Sequence, residues 1–288
     1  YQKLVEAGAA GFVMLSGTPI DEGEDLRPAR RSLRGVEETP IQGVTVHYKD
    51  AVELVERGAS RVRLILRQEK EKRISRNLIL RIDGSQRADE VLTVSAHYDS
   101  VPEGPGAYDN MAGAAIVMEL CRYFSVHRPS RTMEFLWFGA EEKGLYGSLN
   151  YVERHGEELA SHRFNMNVDL AGQTIGGTVI GVTGNPEICQ ILSAYAHEAG
   201  MGVSLKHQIW GSDSNSFAWK GVPAMTLNRD GFGMHTRHDT AALFSTWSLE
   251  RSSRLLAMVA ERLASAEVFP FPREVPEKFR EELNVFFE

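Results

Sequence analysis

The sequence has no excess of basic residues: 32 lysines and arginines face 39 aspartates and glutamates, a formal net charge of −7. That balance argues against a nucleic-acid partner, which needs a basic face. No apolar run approaches the roughly 20 residues of a membrane-spanning helix. Cysteine is nearly missing, and Cys121 and Cys189 both fall in helical patterns, so they are expected as free thiols. The opening stretch YQKLVEAGAAGFVML lacks the basic leader and cleavage site of a signal peptide. It reads as an amphipathic helix running into a strand, so the chain is expected to begin inside a domain. Internal repeats and low-complexity segments are also missing. What is there, 288 residues of which 42% are hydrophobic and 25% charged, suffices for one large globular domain or two unequal ones.

Residues 1–74 alternate short signals. QKLVEAGAA reads as a helix, FVMLSG as a strand opened by Gly11, and IQGVTVHY as a strand after the charged loop DEGEDLRPARRSLRG. DAVELVERG predicts a helix capped by Asp50 and stopped at Gly58, and RVRLILR a further strand. The charge run RQEKEKRISR, 67–76, predicts a solvated connector and places a domain boundary there. Beyond it, strand patterns at 77–82, 90–96, 132–138, 164–168, 178–182 and 222–227 alternate with helical ones at 111–125, 143–154, 186–199, 212–220 and 246–265. Near-continuous apolar strands between helices predict an α/β domain over 75–288. Its central sheet is expected to be mixed, mostly parallel, and covered by helices on both faces. The tail PFPREVPEKFREELNVFFE predicts one terminal helix.

In such sheets, ligands sit beyond the carboxyl ends of the strands. EVLTVSA is followed by His97 and Asp99, TMEFLWFGA by Glu141 and Glu142, FNMNV by Asp169, and VPAMTLNRDGFGM by His235. A Pro/Gly-rich loop brings Asp109 to the start of the helix AGAAIVMELCRYF. Singly, each has a bland reading as a loop histidine, a helix start or an N-cap. Together, uncompensated carboxylates would repel and raise one another's pKa values. A pair of divalent cations resolves the conflict, and nitrogen and oxygen donors without thiolate suit zinc, with cobalt or manganese as substitutes. Two dications balance the carboxylates of Asp109, Glu142 and Asp169 plus a bridging hydroxide, the expected hydrolytic nucleophile. One of Glu141 and Glu142 then ligates while the other acts as base, and position alone leaves open which.

The blocks AHYDS, AYDNMAG, AEEKGLYGS, NVDLAG, SDSNSF and MHTRHDT, in this order, resemble the signatures of the co-catalytic dizinc aminopeptidases, over roughly residues 76–268. The resemblance implies a zinc exopeptidase fold that removes N-terminal residues from peptides with a free N-terminus. It assigns one zinc to His97 and Asp169, the other to Glu142 and His235, and a bridging role to Asp109. Glu141 becomes the general base, Asp99 the carboxylate that orients the His97 imidazole, and Asp109–Asn110 a cis peptide. Asp239 is expected either to support the His235 loop or simply to cap. Residues 1–74 resemble part of a protease-associated domain lacking its beginning, a second sign of a fragment. Relatives of this kind also imply a secreted or cell-envelope location.

Three rival readings share the fold. A glutaminyl-cyclase-like acyltransferase would use one zinc, and a receptor-type relative would have lost its ligands. A carboxypeptidase would need a cation for the substrate carboxylate, for which Arg229 is the candidate. Leu170, Trp210, Phe232 and Met234 lie where they would line an apolar pocket or serve as plain core. His47, His127, His155, His162, His197 and His207 are expected at the surface or at helix ends. Side-chain preference and oligomeric state have no signature in the sequence.

Overall fold

The computed structural model describes residues 1–16, 41–65 and 71–287. They form two compact units, residues 1–73 and 74–287. The first unit contains α1 (Gln2–Glu6), β1 (Gly11–Ser16), β2 (Gln42–His47) and α2 (Tyr48–Glu56). β1 and β2 run parallel, with Val13 opposite Val44. The N-cap of α2 is His47, not Asp50: its imidazole accepts the Lys49 N–H at 3.2 Å, and Asp50 lies in the first turn. Gly58 does stop the helix, in a left-handed conformation (φ 64°) that glycine adopts without penalty. Residues 61–65 of the expected third strand have no regular structure. The rest of that segment and the loop at 21–35 lie outside the described residues.

The second unit is built on β3 (Leu78–Ile82), β4 (Arg87–His97), β5 (Arg131–Phe138), β6 (His162–Val168), β7 (Thr178–Thr183), β8 (Ser204–His207) and β9 (Ala224–Arg229). Their spatial order is β3-β5-β4-β6-β9-β7-β8. β4 pairs parallel with β5 and β6, β6 with β9, and β7 with β8. The pairs β3–β5 and β7–β9 are antiparallel. The mixed, mostly parallel sheet expected from the alternation is therefore present. Strand β8 went unread because SLKH has no apolar run, and at the sheet edge it is half exposed.

Helices cover both faces. α3 (Ala112–Val126), α5 (Glu187–Glu198) and α7 (Thr246–Ser265) bury Ile116, Leu120, Leu192, Leu256 and Leu263 against Leu92, Val94, Phe135 and Met166 of the sheet. On the opposite side α4 (Tyr146–Arg154) and α6 (Ser214–Trp219) set Tyr151, Val152 and Phe217 against Leu136 and Phe138. Each such side chain, fully removed from water, contributes about 1.5–3 kcal/mol before entropy is counted. The terminal helix α8 (Glu277–Phe287) packs Phe279 and Leu283 on Ala218 of α6. No helix among the described residues is long and apolar enough to cross a membrane.

Candidate active site

Parallel pairing of β5, β4, β6 and β9 brings their carboxyl ends to one edge of the sheet. His97 is the last residue of β4, Glu141 and Glu142 form a single 3-10 turn after β5, and Asp169 follows β6 directly. Asp109 sits in the short turn 107–111, where its bond to Asn110 is cis, as the resemblance implied. His235 arrives on the loop after β9. All of these residues meet.

Asp109 stands at the centre. His97 Nε2 lies 3.2 Å from Asp109 Oδ1 and 3.4 Å from Asp169 Oδ1. His235 Nε2 lies 2.9 Å from Asp109 Oδ2 and 3.2 Å from Glu142 Oε2. One Asp109 oxygen thus faces each histidine. Glu141 groups with His97 and Asp169, and Glu142 with Asp109 and His235, with donor atoms in each trio within 4.8 Å of one another. The backbone is strained beside these groups. Ala140 (φ 62°), Leu170 (φ 71°) and His235 (φ 63°) occupy the left-handed region. Such residues cost roughly 1–3 kcal/mol each and persist only where their surroundings over-determine them.

The bracing is mostly non-local. The Asp99 carboxylate accepts the backbone N–H groups of Glu141 at 3.0 Å and Glu142 at 3.2 Å. His97 Nδ1 instead meets the Asp99 main-chain carbonyl at 3.1 Å, with the carboxylate at 3.6 Å. Asp99 therefore holds the imidazole through its backbone and the glutamate turn through its side chain. The Asp239 side chain supports Asp109, accepting the N–H of Tyr108 at 2.5 Å and of Asp109 at 3.0 Å, while its backbone N–H closes the His235 loop on Thr236 O at 3.2 Å. Gln173 clamps that loop: its Oε1 accepts Phe232 N–H at 3.0 Å and its Nε2 donates to Phe232 O at 2.6 Å. Asn110 donates to Val168 O at 2.8 Å and accepts from Gly113 N–H. A methyl group at Gly113 would overlap the Asn110 side chain, which explains a glycine in the first turn of α3.

The electrostatics are those of a crowded acidic site. Burial, and beyond it the charges of Asp213, Asp169 and Glu142, pushes Glu141 up to about 10. Burial likewise raises Asp213 to about 7, against the opposing charge of His97. Burial opposes charge on Asp109 too, but the hydrogen bonds from His235 and His97 outweigh it and hold that carboxyl well below the ordinary range. Hydrogen bonds to Asp109 and Glu142 raise His235 to about 9. His97 is also held well above its usual value: burial works against it, and Asp109 and Asp169 prevail.

These residues fit metal ions. The histidine-to-carboxylate separations of 2.9–3.4 Å match the ~3.3 Å between neighbouring donors around a tetrahedral ion with ~2.0–2.1 Å bonds. The donor set is imidazole and carboxylate without thiolate, which suits zinc. His97, Asp109 and Asp169 would hold one ion, and Asp109, Glu142 and His235 the other.

Other expectations fare unevenly. Arg229 is buried and spent on the protein itself, donating from Nε to Gln173 O at 2.7 Å and from Nη2 to Thr174 O at 3.3 Å. His47 and His162 are buried, and each stands at a helix end, the other place expected of them. His47 is a helix cap and His162 bonds Glu158 O through Nδ1. Trp210 packs over Gly181 of β7, whereas Phe232 and Met234 are exposed near His235. Cys121 and Cys189 are free thiols, the first buried and the second partly so. Gln173, Ser212 and Asp213 were missed. SDSNSF stood out as a block, but nothing in its spacing told what Ser212 and Asp213 touch.

The same stretch of chain carries the likeness to known proteins. Aminopeptidase YwaD of Bacillus subtilis is 31% identical over 175 residues, covering 60% of this chain and 37% of that protein. The vacuolar membrane protease of Saccharomyces cerevisiae is 31% identical over 134 residues, covering 46% of this chain and 13% of that protein. The chain thus spans much less than two thirds of these relatives. In fold, BSAP, a zinc aminopeptidase from Bacillus subtilis, superposes with a TM-score of 0.73 at 22% identity, over 96% of this chain and 69% of that one. Residues 77–260, from the first strand of the sheet into α7 and spanning every one of the gathered donors, match peptidase family M28, and the chain belongs to that family.

Proposed function

We propose that this chain is the catalytic part of a zinc-dependent aminopeptidase that removes N-terminal residues from peptides. The observation that carries the reading is Asp109, whose two oxygens face His97 at 3.2 Å and His235 at 2.9 Å. A carboxylate placed between two histidine-carboxylate groups is what a pair of adjacent cations requires. Family membership and the aminopeptidase names of the relatives point the same way. Residues 1–73, with their parallel strand pair, are read as part of a protease-associated domain.

In the proposed mechanism, His97 and Asp169 would hold one zinc and Glu142 and His235 the other, with Asp109 within reach of both. Bound zinc would polarise the scissile carbonyl and acidify the attacking water. Glu141 takes the water's proton and returns it to the departing amine. Its surroundings suit that work, since burial and neighbouring carboxylates favour the protonated form while nearby positive charge favours the carboxylate. Asp99 keeps Glu141 and Glu142 in register by gripping their amides. Exposed Phe232 and Met234, on the loop leading to His235, supply apolar surface for the substrate side chain.

The engagement of Arg229 with main-chain carbonyls speaks against the carboxypeptidase reading. Turnover of a panel of aminoacyl-nitroanilides tests the proposal, against N-acetylated and C-terminally blocked controls, with zinc counted in parallel. Cleavage confined to free N-termini with two zinc ions per chain is expected. Cyclisation of N-terminal glutamine at one zinc per chain would overturn the proposal in favour of the cyclase reading.

A further inference from the structure

Strands β4 and β6 lie in the middle of the sheet, yet one face of each is polar. Asn165 and Asn167 alternate along β6 toward Asp169 just past its end, and Thr93 and Ser95 face the two asparagines from β4, with Thr93 opposite Asn165 and Ser95 opposite Asn167. Thr93, Ser95, Asn165 and Asn167 are all fully buried, as is Ser212, just before α6. Polar groups withdrawn from water need partners, and here the partners form a chain. Asn165 Nδ2 donates to Ser95 Oγ at 3.0 Å, and Ser95 Oγ donates to Asn167 Oδ1 at 2.9 Å. Asn167 Nδ2 donates to Ser212 Oγ at 2.7 Å, and Ser212 Oγ donates to Asp169 Oδ2 at 2.5 Å.

The direction of the chain follows from its last member. An ionised carboxylate only accepts, so Ser212 must spend its single proton on Asp169. Its lone pair is then open to a donor, which turns the amide nitrogen of Asn167 toward Ser212 and its oxygen toward Ser95. Ser95 gives its proton to that oxygen and takes one from Asn165. Every donor therefore points toward Asp169, and hydrogen bonds aligned in series polarise one another. The chain begins at Asn165, whose Oδ1 is buried without a hydrogen-bond partner. At its other end it occupies Oδ2 of Asp169 and leaves Oδ1 facing His97 at 3.4 Å.

We propose that Asn167 is a positioning residue for the metal site of His97 and Asp169, acting through Ser212 to orient the Asp169 carboxylate and hold one of its oxygens away from the ion. The inference rests on the reading of Asp169 as a ligand. Asn167→Asp keeps the shape of the side chain but replaces the donor facing Ser212 with an acceptor. The Ser212 proton then has two carboxylates competing for it, and Asp169 loses its restraint.

The test measures zinc affinity by chelator competition on the whole chain, site by site, for wild type, Asp169→Ala, Asn167→Asp, Ser212→Ala and the double variant. Asp169→Ala should abolish one of two zinc sites. Asn167→Asp and Ser212→Ala should each weaken that same site about 10–100-fold, the usual effect of removing a partner that orients a ligand. The other site should change less than about twofold. In the Ser212→Ala background, Asn167→Asp should add almost nothing, because its path to the metal is already cut. A purely structural role for Asn167 would instead give additive losses at both sites. Should Asn167→Asp not fold, Ser95→Ala, one step further back, takes its place in the cycle. If Asp169→Ala weakens one site while Asn167→Asp and Ser95→Ala leave it unchanged, the relay is overturned although the ligand reading stands. If Asp169→Ala leaves both sites intact, the ligand reading fails and the relay with it.

Discussion

The carboxylate of Asp99 accepts the backbone N–H of Glu141 at 3.0 Å and of Glu142 at 3.2 Å, so one side chain from the end of β4 fixes the turn after β5 that carries the proposed base and a proposed ligand. Asp99→Ala strips both amides of their acceptor. A loss of about 2 kcal/mol in stability is expected, the scale of a hydrogen bond to a charged group. Zinc affinity should fall about 10–100-fold, and Asp99→Asn, which keeps an acceptor oxygen, should lose less. Urea unfolding and calorimetric zinc titration check both figures. Wild-type zinc binding in Asp99→Ala would show that the grip has no bearing on the ligands.

Glu141 is the proposed base, and no part in the framework is expected of it. Glu141→Ala should retain both metals and the melting temperature yet lose at least about 100-fold in kcat, the usual scale of general-base removal. Steady-state kinetics on an aminoacyl-nitroanilide, with the zinc count alongside, decides it. Near-normal turnover would remove Glu141 from the mechanism.

The two hydrogen bonds between Gln173 and Phe232 hold the segment that delivers His235. Gln173→Ala should weaken zinc at the site of Glu142 and His235 by about 10-fold or more while sparing the site of His97 and Asp169. That pattern is opposite to the one expected of Asn167. Equal loss at both sites would mean that Gln173 supports the fold as a whole.

Metal binding should release protons. In the metal-free protein, hydrogen bonds donated to Asp109 and Glu142 hold the His235 pKa at about 9, so its imidazole is charged at neutral pH and must deprotonate to ligate. Zinc affinity is therefore expected to rise with pH, at least about tenfold per unit below pH 8, and to level off above about 9. Calorimetry in two buffers of different ionisation enthalpy counts the protons. A count of zero at pH 7 would contradict the arrangement.

Away from the site, Glu134 of β5 lies buried among Arg81, Tyr151 and His162. Burial opposes its charge, but the hydrogen bonds from His162, Tyr151 and Arg81 outweigh that and carry its pKa from the ordinary 4.5 down to about 2. A carboxylate with a depressed pKa stabilises fully above the unfolded value and loses its contribution as pH falls from about 4.5 toward about 2. The amount is about 3 kcal/mol. Metal-free Glu134→Gln should show a shallower loss of stability across that window than metal-free wild type, measured by urea unfolding at stepped pH.

Much of this architecture is written locally and so was legible in the sequence. The alternation of apolar strands with amphipathic helices is a short-range period, and it identified the mixed, mostly parallel sheet and the span of α7, 246–265. Ligand candidates were legible for a related reason. In a parallel sheet every strand delivers its next residues to the same edge, so His97, Glu141, Glu142, Asp169 and His235 needed only their positions after strands to be brought together. What only the tertiary structure decided depends on residues remote in the chain. Asp239 supports Asp109 across 130 positions, Gln173 grips Phe232 across 59, and Asn167 meets Ser212 across 45. No local period records such pairings, because they arise from strand order and from the packing of helices over the sheet. The polar faces of β4 and β6 show the division most plainly. Composition marks Thr93, Ser95, Asn165 and Asn167 only as polar residues within strands, and burial together with the direction of each hydrogen bond turns them into a chain that ends on Asp169.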